Sequence, residues 1–499
     1  MYSRFLLVAN GSAAVSLYDL DVFGADMVVP QAAVKADIPI RFVEGSFRDR
    51  SARVAEIDGK IVRFLSKAAD ENWSVFTQSH FWTHAAKQQW LIATKRRPDL
   101  HDAALAAGFA SALEHERVPT LSWPWEWSFS MLKDVALAQL QLMQAALREN
   151  LILKDATPFN FQFVCLRPVL IDVSSIEPWK AGDAWHGYRQ FCQTFLFPLM
   201  LQSWKFIDFQ PWLRGRLDGI TPREMSAMLS WRDMLRPGSW THVCLHALLQ
   251  NTSREQAVSA SLKKHGFQRE MIERNVDRLL VTVGRLEWKP SRSDWSRYAT
   301  DSPHVLQDRA AKESMVRAVC GEIRPHTVWD LGCNRGDYSR IAAEYAEHVL
   351  ALDADHLTVD QLYRELRGQH ESRILPLVYN MADPSPSLGW RLSERRSLAD
   401  RSRPQVILCL ALIHHLVIGS QLLLSDVMQW LAEHRCDVVL EWVDRCDPLV
   451  QQLLRNREDI FVDYCESELR NSVAKHFEVR REERLPSGHR MLLHLEPRR

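Results

Sequence analysis

The chain has 499 residues, with 62 basic and 62 acidic side chains, so it carries no net charge at neutral pH. This length is more than one hydrophobic core normally supports, and it predicts two or three domains. The balanced charge gives no sign of a nucleic-acid partner. Nine cysteines form no C-x-x-C pair, so we expect neither a cysteine-ligated zinc site nor a disulfide framework, as is typical of a reducing cytoplasm.

No segment has the properties of a leader or a membrane span. The N-terminus has only a short apolar run, residues 5–9, followed by polar and acidic residues, which is too weak for a signal peptide. The longest apolar stretch, residues 406–418, contains two histidines and is too short to cross a bilayer. We therefore expect a cytoplasmic protein without membrane contact; its oligomeric state stays open.

The first 290 residues predict an α+β domain. A hairpin about Asp58-Gly59 joins strands at 53–57 and 60–65, and a tryptophan-rich loop occupies 121–127. A long amphipathic helix follows at about 129–149, then a short hairpin at 161–164 and 168–171, and 185–285 are mainly helical. The polar stretch 288–295 contains Pro and Ser and is the best linker candidate.

The last 200 residues, 298–499, predict an α/β domain with a doubly wound parallel sheet, because strands alternate with helices. The predicted strands are 327–331, 349–353, 374–379, 405–411 and 437–442. The predicted helices are 308–322, 337–346, 357–367, a basic helix near 392–401, 420–434, 447–456 and 466–475. A hairpin of 477–485 and 490–495 closes the domain.

A glycine-punctuated turn follows the first of these strands. Gly332 and Gly336 allow a sharp turn and a close approach to a ligand. Asp353 ends the next strand 23 positions after Asp330, near the offset at which an acid meets ribose hydroxyls. Asn334 stands where a dinucleotide fingerprint has glycine, which disfavours a pyrophosphate. A ligand with an adenosine and an amino-acid tail fits better; an ordinary turn is the alternative.

The D-x-G-x-N-x-G turn, Asp353 and the strand 406–411 resemble the class I S-adenosylmethionine-dependent methyltransferases. The resemblance implies a Rossmann-like domain that binds S-adenosylmethionine. Asp353 would accept hydrogen bonds from both ribose hydroxyls, and Asp383, or else Asn380, would meet the adenine amino group. The other residues that the resemblance places at the cofactor, mostly at its methionine end, are Asp330, Gly332, Cys333, Asn334, Gly336 and Ala411.

Two histidines follow the strand 405–411, at the edge where ligands bind in open α/β sheets. His414 or His415 could deprotonate an acceptor hydroxyl or amine, and packing is the alternative role. Glu441 and Asp444, at the end of the next strand, are weaker candidates. The charged residues between 391 and 401 form either a solvated helix face or a binding site for an anionic acceptor.

In the first half, Asp155, Asn160 and Asp172 resemble the catalytic loop and metal-binding aspartate of the kinase fold. The resemblance implies that Asp155 accepts the proton of a substrate hydroxyl, while Asn160 and Asp172 hold magnesium on ATP. No glycine-rich phosphate loop is present, and Lys60 and Arg63 are the only basic residues on the relevant strand. Three interpretations stay open: an active kinase, a kinase-like acceptor-binding or regulatory module, and an unrelated α+β domain.

Both halves together resemble a group of bacterial class I methyltransferases related to the nodulation protein NoeA. The stretches that carry this resemblance are 124–134, 153–156 with 160–163, and 188–192. It implies methyl transfer to oxygen or nitrogen of a small-molecule or glycan acceptor. The aromatic loop 121–127 suits a sugar face and a core equally well. A bifunctional kinase–methyltransferase and a non-catalytic cofactor-binding scaffold are the alternatives.

Overall fold

A computed structural model describes residues 40–244, 268–289, 303–455 and 458–498. The described residues all belong to one compact unit, Ile40–Arg499. Most of the predicted linker and the apolar run at 5–9 lie outside the described residues. No helix in the described part of the chain is both long enough and apolar enough to cross a membrane. The division into two domains stays a prediction, and we call the parts before and after residue 290 the N-terminal and C-terminal halves.

The described part of the N-terminal half begins with a five-stranded antiparallel sheet in the order β1-β2-β3-β5-β4. The predicted hairpin of β2 and β3 is confirmed. Asp58 and Gly59 both have positive φ angles, 49° and 73°, which suits a two-residue hairpin turn. The strands are Arg41–Phe42 (β1), Ala52–Ile57 (β2), Lys60–Leu65 (β3), Thr94–Arg96 (β4) and Ser111–His115 (β5). The helices between them are Lys67–Thr77 (α1), His80–Lys87 (α2) and His101–Ala106 (α3).

The predicted long helix is Phe129–Leu147 (α4). It begins at Ser128, whose side chain accepts a hydrogen bond from the Met131 amide, as an N-cap serine does. Most of its apolar side chains are buried, so the helix forms the centre of this half. Four short strands follow, which pair as β6 with β9 and β7 with β8: Leu151–Leu153 (β6), Phe161–Val164 (β7), Arg167–Leu170 (β8) and Ile176–Pro178 (β9).

The rest of the described N-terminal half is mainly helical, as predicted. A π-helical turn at Cys192–Leu196 joins two of the helices, and a second one covers Ser239–Cys244. The helices are Gly187–Phe191 (α5), Phe197–Lys205 (α6), Gln210–Gly215 (α7), Pro222–Met228 (α8), Trp231–Met234 (α9) and Arg269–Arg285 (α10).

The C-terminal half contains a seven-stranded sheet in the order β12-β11-β10-β13-β14-β16-β15. The first five strands in this order are parallel, and β16 runs antiparallel between β14 and β15. The central strands are mostly apolar because helices cover both faces. The strands are Thr327–Leu331 (β10), His348–Asp353 (β11), Ile374–Val378 (β12), Val406–Cys409 (β13), Asp437–Val443 (β14), Phe477–Arg484 (β15) and Arg490–Pro497 (β16).

Seven helices accompany this sheet in the described residues. They are Pro303–Ile323 (α11), Asp337–Ala343 (α12), His356–Gly368 (α13), Leu398–Arg401 (α14), Leu424–Glu433 (α15), Pro448–Leu454 (α16) and Glu466–His476 (α17). A π-helical turn, His415–Gly419, follows β13. The predicted alternation of strands and helices is therefore confirmed, with bounds that differ by a few residues.

The prediction of a basic helix near 392–401 is wrong. That stretch has a 3₁₀ turn at Trp390–Leu392 and a single helical turn, α14. Arg391 and Asp400 are exposed, but Arg401 does not belong to a solvated face, since it pairs with Glu126 of the N-terminal half and both side chains are almost completely buried. Glu394 binds Arg48 through two hydrogen bonds, and the Arg395 guanidinium lies 4.4 Å from the centre of the Phe159 ring. Charge alone could not reveal these long-range partners.

The tryptophan-rich loop also belongs to this contact between the halves. Trp123, Trp125 and Trp127 are all buried. The indole of Trp123 donates to the Arg396 carbonyl (2.8 Å), and that of Trp125 donates to the Ser385 hydroxyl (2.5 Å). Of the two roles that the sequence left open for this loop, the structure supports the core.

Candidate cofactor site

The glycine turn after β10 has the predicted strand–turn–helix geometry. The amides of Gly332 and Cys333 both donate to the Leu352 carbonyl, at 2.8 and 3.1 Å, so the turn is fixed to β11. Gly336 has a φ of +76°, and a Cβ atom there would lie 2.9 Å from the Leu362 side chain. Asn334 also adopts the left-handed region, with a φ of +47°, which asparagine tolerates better than most residues.

Asp353 lies at the end of β11, directly beside this turn. Its Oδ2 accepts a hydrogen bond from the Asn334 amide (2.8 Å), and its Oδ1 accepts one from the Asp355 amide (2.9 Å). Burial raises the pKa of this carboxyl, while the two amide hydrogen bonds oppose the rise. Each oxygen keeps a second lone pair, so the carboxylate can still accept hydrogen bonds from a pair of ribose hydroxyls. The residues present therefore fit the nucleoside of S-adenosylmethionine.

Asp330, predicted to line the cofactor, is almost completely buried and accepts a hydrogen bond from the Ser339 hydroxyl (2.5 Å). Burial raises its pKa to about 7. The contact joins the strand before the turn to the helix after it, so this carboxyl holds the turn in shape. Cys333 is buried as well, and burial raises the pKa of its thiol well above the usual range.

The two residues predicted at the adenine lie in the loop after β12. The Asn380 side chain accepts a hydrogen bond from the Ala382 amide (2.9 Å). Asp383 receives two hydrogen bonds from the Arg214 guanidinium, at 2.8 and 2.9 Å, which lower its pKa. Ala411 follows β13 with a φ of +50°. The adenine contacts stay predictions.

The predicted histidines lie together after β13, with ring centres 4.1 Å apart. His414 is fully buried, and neither of its ring nitrogens has a hydrogen-bond partner among the described residues. Burial, His415 and the nearby cations Arg490 and Lys312 hold the pKa of His414 well below its usual range. Burial and Arg490 lower the pKa of His415 to about 4. Both imidazoles are therefore neutral at physiological pH.

Glu441 lies in β14 within a buried ion network that sequence reasoning missed. Its Oε1 binds Lys312 of α11 (2.8 Å) and Arg490 of β16 (3.0 Å), and Arg490 also binds Asp447 (2.8 Å). Its Oε2 has no hydrogen-bond partner among the described residues. Lys312 and Arg490 are separated from Glu441 by 129 and 49 positions, so no local pattern could have identified them. The network holds the Glu441 carboxylate in place, while Asp444 is not part of it.

Asp172, predicted to hold magnesium in a kinase-like site, is already bound by other side chains of the N-terminal half. The guanidinium of Arg63 donates to its Oδ1 (2.8 Å) and to the Ile171 carbonyl (3.3 Å). The Ser174 hydroxyl donates to the same Oδ1 (2.5 Å). Because a guanidinium already neutralises this carboxylate, the residues do not fit a magnesium ion on ATP phosphates.

Asp155 and Asn160 lie beside this pair. Burial raises the pKa of Asp155, and the charge of Asp172 adds to the rise. The Asn160 carbonyl accepts a hydrogen bond from the Ile171 amide (2.8 Å), while its side-chain amide has no partner among the described residues. The three residues therefore form a half-buried polar cluster with Arg63, one of the two basic residues that the sequence analysis noted on that strand.

Together, the strand order with one antiparallel strand near the edge, the glycine turn and the carboxylate beside it define a class of protein. It is the class I S-adenosylmethionine-dependent methyltransferases, as the sequence predicted. No family model matches the chain. Nodulation protein NoeA of Rhizobium meliloti (strain 1021) is 31% identical over 470 residues, which cover 91% of this chain and 96% of that protein. The chain belongs to the NoeA family.

Solved structures resemble part of the chain. The N-methyltransferase NodS from Bradyrhizobium japonicum WM9, in complex with S-adenosylhomocysteine, is 8% identical with a TM-score of 0.30, and covers 42% of this chain and 94% of its own. The magnesium protoporphyrin IX methyltransferase ChlM from Synechocystis PCC 6803, with bound S-adenosylhomocysteine, is 14% identical with a TM-score of 0.29. That match covers 40% of this chain and 92% of its own.

Proposed function

We propose that the protein transfers a methyl group from S-adenosylmethionine to an oxygen or nitrogen of a small-molecule or glycan acceptor. The observation that supports this most is the Asp353 carboxylate, which two backbone amides hold beside the glycine turn. Gly332, Asn334 and Gly336 would hold the amino-acid end of the cofactor, and Asp353 its ribose. S-adenosylmethionine, when bound, supplies a methyl group on a positively charged sulfur. The sulfur is a good leaving group because it becomes neutral when the methyl group is transferred.

The main task of the protein is then alignment of the acceptor. His414 is the best candidate for removing its proton, because its ring nitrogens have no protein partner among the described residues. A buried polar group without a partner costs about 1–3 kcal/mol, and an acceptor hydroxyl or amine would complete it. Lys312 and Arg490 hold the Glu441 carboxylate in place through its Oε1 atom. We therefore assign Glu441 a role in positioning the acceptor, with its Oε2 atom accepting a hydrogen bond.

We further propose that the N-terminal half is a kinase-like module that positions the acceptor and transfers no phosphate. Its antiparallel sheet, the helix α4 and the cluster of Asp155, Asn160 and Asp172 support the kinase-like interpretation. The ion pair of Arg63 with Asp172 speaks against magnesium and ATP. Membership in a family named for nodulation suggests that the acceptor belongs to bacterial metabolites made for a plant host, and we expect the reaction in the cytoplasm.

The test is transfer of label. The full chain is incubated with methyl-labelled S-adenosylmethionine and fractionated bacterial glycans and metabolites, and both label uptake and S-adenosylhomocysteine are measured. We expect one fraction to take up label with wild type and none with Asp353→Ala. If the cofactor binds but no fraction yields S-adenosylhomocysteine, the protein is a cofactor-binding scaffold instead.

A further inference from the structure

Two histidines and a glutamate lie together at the amino edge of the seven-stranded sheet, opposite the edge that carries the glycine turn. His326 directly precedes β10, while Glu347 and His348 stand at the start of β11. One ligand atom of each residue, an imidazole nitrogen or a carboxylate oxygen, lies within 4.8 Å of those of the other two. The three residues therefore offer two nitrogens and one oxygen to a common point.

The main chain beneath these side chains is fixed. The His348 amide donates to the His326 carbonyl (2.9 Å), and the Glu347 amide donates to the Pro325 carbonyl (3.3 Å). The His326 backbone amide donates to the side-chain oxygen of Gln405. The backbone amide of Gln405 in turn donates to the Thr327 carbonyl (2.9 Å). Segments before three neighbouring strands thus hold the cluster, and only the side chains need to move to bind an ion.

The side chains are close to a ligating arrangement. His326 Nδ1 lies 2.7 Å from Glu347 Oε2, and the rings of His326 and His348 meet edge to face with centres 5.4 Å apart. A tetrahedral ion with bonds of about 2.0–2.1 Å needs ligand atoms roughly 3.3 Å apart. The exposed side chains of His326 and Glu347 can move the remaining distance of up to about 1.5 Å by rotation alone.

We propose that His326, Glu347 and His348 bind a divalent cation of the zinc type. Two imidazoles with one carboxylate suit zinc and its neighbours, whereas magnesium and calcium prefer oxygen ligands only. With three protein ligands, the fourth position would be taken by water. The bound ion would tie the segments before β10 and β11 together. This site is remote from the glycine turn and independent of the proposed methyl transfer.

Isothermal titration of the tag-free, chelator-treated full chain with zinc chloride tests the site. We expect one saturable site in wild type and in His101→Ala, which removes an exposed histidine of the N-terminal half. Glu347→Gln should weaken binding at least tenfold and His348→Ala should abolish it, each with an unchanged circular dichroism spectrum. Magnesium chloride should show no binding at this site. Glu347→Gln keeps the size of the side chain, so it remains informative if His348→Ala fails to fold.

Cysteines are the competing ligands, since Cys165 and Cys446 are exposed. Cobalt(II) as a probe separates the cases, because thiolate ligation adds a strong sulfur-to-metal band in the near ultraviolet. We expect bound cobalt to give a visible spectrum without the thiolate band. The His348→Ala variant should lose this cobalt spectrum. The proposal is overturned if zinc does not saturate a site, if both variants bind as wild type does, or if the cobalt spectrum shows thiolate ligation.

Discussion

Asp353 and Asp172 both stand at or just after the end of a strand, and the sequence assigned a ligand to each. In the C-terminal half, Asp353 accepts hydrogen bonds from the backbone amides of Asn334 and Asp355 and remains available to a nucleoside. In the N-terminal half, Asp172 is bound by the guanidinium of Arg63 and by Ser174. The same residue type in similar settings thus serves a ligand in one half and the protein's own structure in the other.

The difference shows that the partner of an acid decides its role. An amide hydrogen bond orients a carboxylate without neutralising it, whereas a guanidinium supplies the charge that a metal ion would otherwise supply. If this distinction holds, variants of structural acids should lower stability, and variants of ligand-binding acids should lower affinity.

Glu441→Ala should give the largest effect on stability. It leaves the cations Lys312 and Arg490 buried without their shared partner, since Glu441 is completely buried. Breaking a buried ion pair in this way costs about 3–5 kcal/mol. Urea unfolding followed by circular dichroism measures it, with Arg470→Ala, which removes an exposed arginine from its surface ion pairs, as a control of small effect. Equal midpoints for the two variants would mean that the network does not hold the fold.

Asp330→Asn should change how stability depends on pH. The pKa of Asp330 is raised from 3.8 to about 7 in the folded state, so between these values the folded protein keeps a proton that the unfolded chain releases. Asp330 therefore reduces the free energy of unfolding as pH rises through this window, by about 4 kcal/mol in total, and the reduction is absent below pH 3.8. Asp330→Asn, compared with wild type by urea unfolding at pH 5 and pH 8, should gain relative stability at the higher pH. Parallel curves would contradict the raised pKa.

Asp172→Ala should cost about 2 kcal/mol of stability, because the largely buried Arg63 loses its anionic partner. Affinity for S-adenosylmethionine should stay the same. Thermal unfolding with and without magnesium and ATP measures both the loss and the expected absence of an ATP-dependent shift in wild type. A clear shift with ATP that disappears in Asp172→Ala would instead support a kinase.

Arg214→Ala should give the smallest effect, less than about 1 kcal/mol, since its ion pair with Asp383 is exposed to solvent. Titration with the cofactor sharpens the assignment of Asp383. We expect Asp383→Ala to weaken cofactor binding more than Arg214→Ala does. Equal losses of cofactor affinity in the two variants would mean that Asp383 stabilises the contact between the halves and does not bind the adenine.

The sequence predicted the C-terminal sheet well because local patterns determine it. Apolar strands, the glycine turn and Asp353 are all visible within about 25 residues. In the structure the turn places the Asn334 amide beside the Asp353 carboxylate. Partners distant in sequence could not be predicted. The run from 391 to 401 looked like a solvated helix, yet Arg401 and Glu126 are 275 positions apart and meet only in the folded chain.

The same limit applies to the candidate sites. Lys312 and Arg490 reach Glu441 from a helix and a hairpin strand that are distant in sequence, and Arg63 reaches Asp172 across 109 positions. The sequence therefore supplied candidate acids, and the fold was needed to show which of them already have a partner.

Titration calorimetry with S-adenosylmethionine on wild type, Asp353→Ala and Asp172→Ala tests the central claim most directly. We expect Asp353→Ala to weaken binding by about 100-fold, as the loss of charge-assisted hydrogen bonds to the ribose implies, and Asp172→Ala to bind as wild type does. Asp353→Asn keeps the size of the side chain, so its affinity for the cofactor should lie between those of wild type and Asp353→Ala. Wild-type affinity in Asp353→Ala would contradict the cofactor site at the glycine turn.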